Sequence, residues 1–149
     1  MSDPGHWRRL ENLYLSAPTN AYYRPTIRIG DGNCEIDVAI RPDFFHAAHA
    51  VHGSVYFKML DDAGFFAANS VVDGIFVLTS SFNIHLLRPV TEGVLSAKGR
   101  LVNAGARQLL AEAQLFNASN QLVAHGTGMY VRSKIALTPE VGYADSLRA

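Results

Sequence analysis

The sequence predicts an α+β domain in which one curved antiparallel sheet wraps a single long central helix, with a short N-terminal helix ahead of it. Three observations carry this expectation. Residues 53–71 form one long segment of helical period, apolar over roughly two thirds of its circumference at about 100° per residue. Two segments before it and four after it read as strands, several with a clear two-residue alternation. The connections between successive strands are short, which implies antiparallel pairing. A helix this apolar must be covered by other structure, and a sheet curling around it is the simplest cover.

The elements follow in order. Trp7 to Ser16 reads as a short helix, with Trp7, Leu10, Leu13 and Tyr14 at helical spacing, and Ser16-Ala-Pro-Thr-Asn20 stops it. Thr26 to Ile29 reads as a strand, and Asp31-Gly32 as a hairpin turn. In Cys34 to Ile40, Cys34, Ile36, Val38 and Ile40 point one way while Glu35, Asp37 and Ala39 point the other; Pro42 ends the strand. On the helix from Gly53 to Val71, the residues Ser54, Lys58, Asp61, Asp62 and Asn69 share a narrow polar stripe with Phe65 among them. Asp73-Gly74 ends the helix. Ile75 to Arg88 is expected to place Phe76, Leu78, Phe82, Ile84 and Leu86 on one face and Thr79, Ser81, Asn83 and His85 on the other. Gly93 to Asn103 and Arg107 to Asn117 are joined by a hairpin at Ala104-Gly-Ala, and Gln121 to Ser133 is the last strand. The tail after Leu137 carries Pro139 and little apolar content, so it is expected to be loosely held.

Length and composition bound the function. A chain of 149 residues favours one domain spanning residues 1–149, here with a core of about 25–135. Its apolar fraction of 48% suffices for a sizeable core. A formal net charge of zero argues against a nucleic-acid surface or a polybasic membrane patch. Apolar runs such as Ile75 to Leu78 are too short to span a bilayer, and Met1 to Leu10 lacks the apolar run of a secretory signal. Cys34 is the only cysteine, so no internal disulfide forms, and a lone thiol suits a reducing cytosol. A cytoplasmic location is therefore expected, and the Asn117-Ala-Ser119 sequon carries no meaning there. Phosphate-loop, nucleophile-elbow and His-Glu-x-x-His patterns are absent from the sequence.

The chemistry concentrates in His46-Ala-Ala-His-Ala-Val-His-Gly-Ser54 and the helix that follows. At Gly53 the first backbone N–H groups of that helix have no intrahelical partner and carry the positive end of the helix dipole. Such donors stabilise the negative charge on a carbonyl under attack, and removing one typically costs about 3–4 kcal/mol in the barrier. Taken alone, Gly53 fits an ordinary loop-to-helix transition better than it fits such a site. Asp61, two turns on, can act as nucleophile or general base, or belong to a solvated polar stripe. Asp62 is assigned to solvent or an ion pair. His46, His49 and His52 recur every third residue, but Pro42 and Gly53 make the segment a loop, and no metal site is expected. His85 and His125 fall on strands as structural or pocket-lining residues, and Cys34 reads as a buried filler.

His52-Gly53-Ser54 followed by Asp61 resembles the Asn-x-x-Gly-x-x-His-Gly-Gly…Asp signature of the hotdog-fold acyl-CoA thioesterases, specifically the phenylacetyl-CoA and 4-hydroxybenzoyl-CoA thioesterase group. Thr79-Ser-Ser-Phe-Asn-Ile-His-Leu-Leu-Arg-Pro89 is similar to that family's Phe-Leu-Arg-Pro strand, and Gly93, Gly105-Ala-Arg107 and Leu122-Val-Ala-His-Gly-Thr127 fall at comparable positions. The resemblance spans about residues 25 to 135. It implies the hotdog fold and hydrolysis of an acyl-CoA thioester to a carboxylic acid and coenzyme A, with no cofactor beyond the coenzyme A of the substrate. A non-catalytic acyl-CoA-binding protein on the same fold is the alternative. Gly53 N–H would hold the thioester carbonyl and Asp61, from the neighbouring subunit, would be nucleophile or base. Thr79 would position the attacking water, and His52 would shape the loop. Arg107, with Arg88, Arg132 and Lys134, would meet the coenzyme A phosphates. The resemblance also implies a homodimer joined edge to edge, and a dimer of dimers. Three positions depart from the pattern: His46 stands at the family's asparagine, His49 at its first glycine and Ser54 at its last.

Overall fold

The computed structural model describes residues 3–147. Its elements are α1 (Pro4–Ser16), α2 (Asn20–Tyr23), β1 (Thr26–Gly30), β2 (Asn33–Ala39), α3 (Gly53–Asn69), β3 (Ile75–Leu86), β4 (Val94–Ala104), β5 (Gln108–Phe116) and β6 (Leu122–Ala136), with 3-10 turns at Pro42–Phe44 and Pro139–Val141. All six strands form one antiparallel sheet in the order β1-β2-β4-β5-β6-β3. The chain leaves β2, crosses the sheet face as α3, and re-enters at the far edge as β3. Among the described residues no helix is long and apolar enough to cross a membrane.

The sheet is shaped to receive α3. Ala97, Gly99, Ala111 and Ala113 are neighbours across β4 and β5, and the three alanines are fully buried. A Cβ added at Gly99 would lie 2.1 Å from the carbonyl oxygen of Ala63. The helix backbone therefore rests on the strand with no side chain between them, which only glycine permits. Met59, Leu60, Ala63 and Ala67 are fully buried against Ile36, Leu95, Leu109 and Leu115.

The α3 helix is covered more completely than its sequence suggested. Phe65, expected on the polar stripe, is 9% exposed and packs on Phe66, Phe76 and Tyr130. Asn69 is fully buried and ends the helix. Its Nδ2 donates to the carbonyls of Val72 and Ile75, and its Oδ1 accepts from Val77 N–H at 2.9 Å. The polar end of the stripe is thus a hinge-pin between α3 and β3.

Strand β3 departs from the simple alternation expected of it. A register shift between Thr79 and Ser81 inserts one residue. Before it, Val77 is buried, Thr79 meets α3, and Leu78 is exposed. After it, Phe82 packs against Phe57 of α3. The bulge brings Thr79 and Phe82 to the same side of the sheet, where unbroken alternation had separated them.

The tail is held rather than loose. Tyr143 Oη and His6 Nδ1 share a hydrogen bond of 2.7 Å, Asn12 Nδ2 donates to Ala144 O at 2.8 Å, and Arg9 pairs with Asp145 at 3.2 Å. These partners are polar groups of α1, which an apolar count of the tail could not reveal; residues 148–149 lie outside the described residues.

Substituting Gly99→Ala tests the close seating of α3. Overpacking of this kind costs at least about 1–3 kcal/mol, and 1 kcal/mol corresponds to roughly 2–4 °C at this size. A fall of several degrees in Tm is expected by thermal denaturation, and an unchanged Tm would contradict the contact.

Candidate active site

His52 is the N-cap of α3: its Nδ1 accepts from Ser54 N–H at 3.0 Å and lies 2.8 Å from Ser54 Oγ. The cap leaves Gly53 N–H at the first helical position, with no hydrogen-bond partner among the described residues. A Cβ at Gly53 would meet only Leu86 Cδ1, at 3.2 Å. Gly53 borders an accessible cavity of about 340 Å³, together with His46, Tyr56, Leu86 and Arg88.

The preceding loop is closed by a bridge between Phe45 and Val51. His46 N–H donates to Ala50 O, and Ala48 N–H donates to His46 Nδ1 at 3.0 Å. The His46 ring thus takes part in the turn while bordering the Gly53 cavity. His49 has φ +66°, the left-handed conformation. That is the position at which the resembled pattern has glycine, and here a histidine adopts the conformation at a cost. Among the described residues no group of three His, Cys, Asp or Glu side chains converges as a metal site.

Asp61 lies two turns further along α3. Thr79 Oγ1 donates to its Oδ1 at 3.0 Å. Tyr130 Oη lies 3.2 Å from both Oδ1 and the Asp61 carbonyl oxygen. Burial raises the Asp61 carboxyl above the ordinary carboxylate range. The hydrogen bond from Thr79 opposes that rise, the charge of Asp62 adds to it, and Tyr130 and Lys58 oppose it. Asp62 belongs to a separate network: Lys58 Nζ lies 2.6 Å from its Oδ2, and Tyr14 Oη donates to the same oxygen at 2.8 Å. Its charge is thereby matched, and Asp61 is the carboxylate left without an ion pair among the described residues. A second cavity, of about 270 Å³, opens beside Asp61 and Thr79 and is walled by Leu13, Phe65, Phe66 and Phe76.

The expected site residues thus fall into two groups on one chain. His46, Gly53 and Arg88 border the first cavity, with His52 capping the helix next to Gly53; Asp61 and Thr79 border the second. The remaining arginines lie elsewhere. Arg132 donates from Nε and an Nη to the carbonyls of Ala106 and Gly105, and Arg107 is exposed in that same β4–β5 turn. Cys34 is fully buried, and burial pushes its thiol well above its usual range, so it is no nucleophile. Tyr130 was not singled out by its sequence. The available signal was the run Gly126-x-Gly128-x-Tyr130, two glycines and a tyrosine on one strand face.

The chain matches the thioesterase superfamily over residues 48–124, which include both cavities' central residues, and it belongs to that family. Among solved structures it is similar to the Escherichia coli PaaI protein from the phenylacetic acid degradation operon. That match has a TM-score of 0.82 and 20% identity over 90% of this chain and 97% of the other. A Haemophilus influenzae thioesterase gives a TM-score of 0.73 and 19% identity over 82% and 87% of the two chains. The architecture is the hotdog fold. A provisionally named esterase of Saccharolobus solfataricus is 22% identical over 73% of this chain and 79% of its own length.

The raised Asp61 carboxyl has a consequence for stability. A folded-state pKa above the unfolded value means that stability falls as pH rises through that window. Above that window the ionised group is a net cost to the folded state. Asp61→Asn is expected to have an equal or higher Tm than the parent at pH 7, by calorimetry; a clearly lower Tm would show that the carboxylate holds the fold.

Proposed function

We propose that this thioesterase-superfamily chain hydrolyses acyl-CoA thioesters, at a site assembled from two copies of itself. One observation carries the proposal. Gly53 and Asp61 lie on one rigid helix, eight residues apart, so their backbones are separated by about 12 Å at 1.5 Å per residue. A single carbonyl cannot meet both groups of one chain. Each chain therefore offers two half-sites.

Edge strand β3 supplies the means of joining them. Leu86 at its end borders the Gly53 cavity, and Thr79 near its start borders the Asp61 cavity. Antiparallel pairing of two β3 strands about a two-fold axis near Phe82–Asn83 would bring the Thr79 end of one to the Leu86 end of the other. The long β3 edge also exposes Leu78 and Leu86, at 41% and 54%, as a strand awaiting cover would. A dimer of dimers is the larger assembly in this reading.

In the assembled site, Gly53 N–H and the dipole of α3 hold the thioester carbonyl oxygen as negative charge develops there. Asp61 from the other chain attacks the carbonyl carbon, or takes a proton from the water that does. Thr79 orients the carboxylate or the water. The thiolate of coenzyme A leaves, taking up a proton; on the nucleophilic route water then hydrolyses the acyl-Asp61 anhydride and frees the aspartate, and on either route the acyl group departs as a carboxylate. The aromatic cavity beside Asp61 suits an apolar acyl group. Arg88, at the Gly53 cavity, is the best placed of the arginines for the coenzyme A phosphates; Arg107 and Arg132 serve only if the pantetheine arm reaches the β4–β5 turn. The fully buried thiol of Cys34 is compatible with a cytoplasmic setting.

Thiol release over a panel of acyl-CoAs tests the reading. Turnover of at least one apolar acyl-CoA is expected, and Asp61→Asn lowers kcat at least about a hundredfold. Tight acyl-CoA binding without thiol release would instead favour a non-catalytic binding protein, an alternative to which His46 and Ser54 lend weight.

Mixing two inactive variants tests the shared site. Gly53→Pro removes the N–H donor at the first helical position, where proline is tolerated. Refolded together with Asp61→Asn, it should restore about a quarter of parental activity, since half the random dimers carry one intact site of two. No recovery in demonstrated heterodimers would rule out sharing.

A further inference from the structure

We infer that Tyr130 is a positioning residue for Asp61, seated by Gly64 and Gly128 so that its hydroxyl and that of Thr79 both hold Oδ1 and leave Oδ2 as the reacting oxygen. The inference rests on Asp61 being the reacting carboxylate.

The geometry is a built slot. Tyr130 is fully buried although it ends in a hydroxyl. A Cβ at Gly64 of α3 would lie 2.6 Å from Tyr130 Oη, and one at Gly128 of β6 would lie 2.5 Å from it. Two elements thus both lack a side chain at the point where the phenol passes between them. A buried hydroxyl requires a partner, and the partners are the Oδ1 and main-chain oxygen of Asp61, both at 3.2 Å. The single proton is shared between them, so the phenol registers the carboxylate against its own helix turn. Phe65, at 5.8 Å between ring centroids, backs the Tyr130 ring edge to face.

Thr79 Oγ1 reaches the same carboxylate oxygen at 3.0 Å from the adjacent strand β3, where Thr79 is the register partner of Tyr130. Two donors on Oδ1 fix the carboxylate plane. Oδ2 makes no hydrogen bond among the described residues. A nucleophile or base needs one oxygen held and one free, and this arrangement supplies both. The other groups near Asp61 are Lys58 and Asp62 on its own helix, with Tyr14 of α1 acting through Asp62. None of these donates a hydrogen bond to Asp61.

Tyr130→Phe keeps the ring and removes the donor. Losing a hydrogen bond to the charged form makes the carboxyl harder to ionise, so the acid limb of kcat/KM should move to higher pH by about one unit. A fall in kcat of about tenfold with KM little changed should accompany it. Gly128→Ala, which displaces the hydroxyl without deleting it, should shift the limb the same way. A carboxyl ¹³C titration of Asp61, assigned by its loss in Asp61→Asn, reads the same shift without any substrate. A lowered Tm with the acid limb and the titration both unmoved would overturn the inference and leave Tyr130 a packing residue. If Asp61→Asn retains parental turnover, the reading of Asp61 fails and the inference fails with it. An inactive Asp61→Asn beside an unshifted Tyr130→Phe rejects the positioning role alone.

Discussion

The seating of α3 on the sheet is the constraint from which the rest of the molecule follows. The backbone of Ala63 lies directly over Gly99, within a patch of Ala97, Ala111 and Ala113 that keeps the approach close. Nothing at this contact can slide without a backbone clash. The helix is also the carrier of both chemical groups, Gly53 at its first residue and Asp61 two turns later. Because an α-helix is a ruler of fixed rise, its seating fixes where each group meets the surface and keeps them apart.

The same burial sets the electrostatics. Desolvation is the largest influence on Asp61, and the hydroxyls of Thr79 and Tyr130 offset part of it without neutralising the carboxylate. Asp62, one residue on, has a different fate. Lys58 and Tyr14 close around it, and Lys58 also lies over the Tyr23 ring at 4.7 Å. Two adjacent carboxylates bordering one cavity are thereby separated in role by their surroundings: Asp62 is matched in charge and anchors α1, and Asp61 is held only by neutral donors.

The loop before α3 shows how the fold absorbs changes in a family pattern. Its turn demands a left-handed residue, and His49 supplies it at φ +66° in place of glycine. His46 accepts a main-chain hydrogen bond through Nδ1, much as a short amide side chain would in such a turn. His52 caps the helix whose first residue, Gly53, borders the cavity. All three histidines thus have a structural part in this loop, through a left-handed conformation at His49 and through acceptor nitrogens at His46 and His52.

The sequence by itself determined the class of fold and the existence and bounds of most elements, and it marked residues 46–61 as the candidate site. Periodicity and turn residues are local properties, and α3 and the alternating faces of β2 and β5 were legible for that reason. What only the tertiary structure decided were matters of contact across the chain. The bulge in β3 that turns Thr79 toward Asp61 lies in a run whose residues alternate plausibly without it. The anchoring of the tail depends on polar groups of α1 more than a hundred residues away. Tyr130 reaches Asp61 from another element through space opened by two glycines, and no local pattern encodes a distance between them. The His52-Gly53 and Asp61 pair was readable as two chemical groups; that they belong to separate cavities follows only from the rigid helix between them and the strand edge beside it.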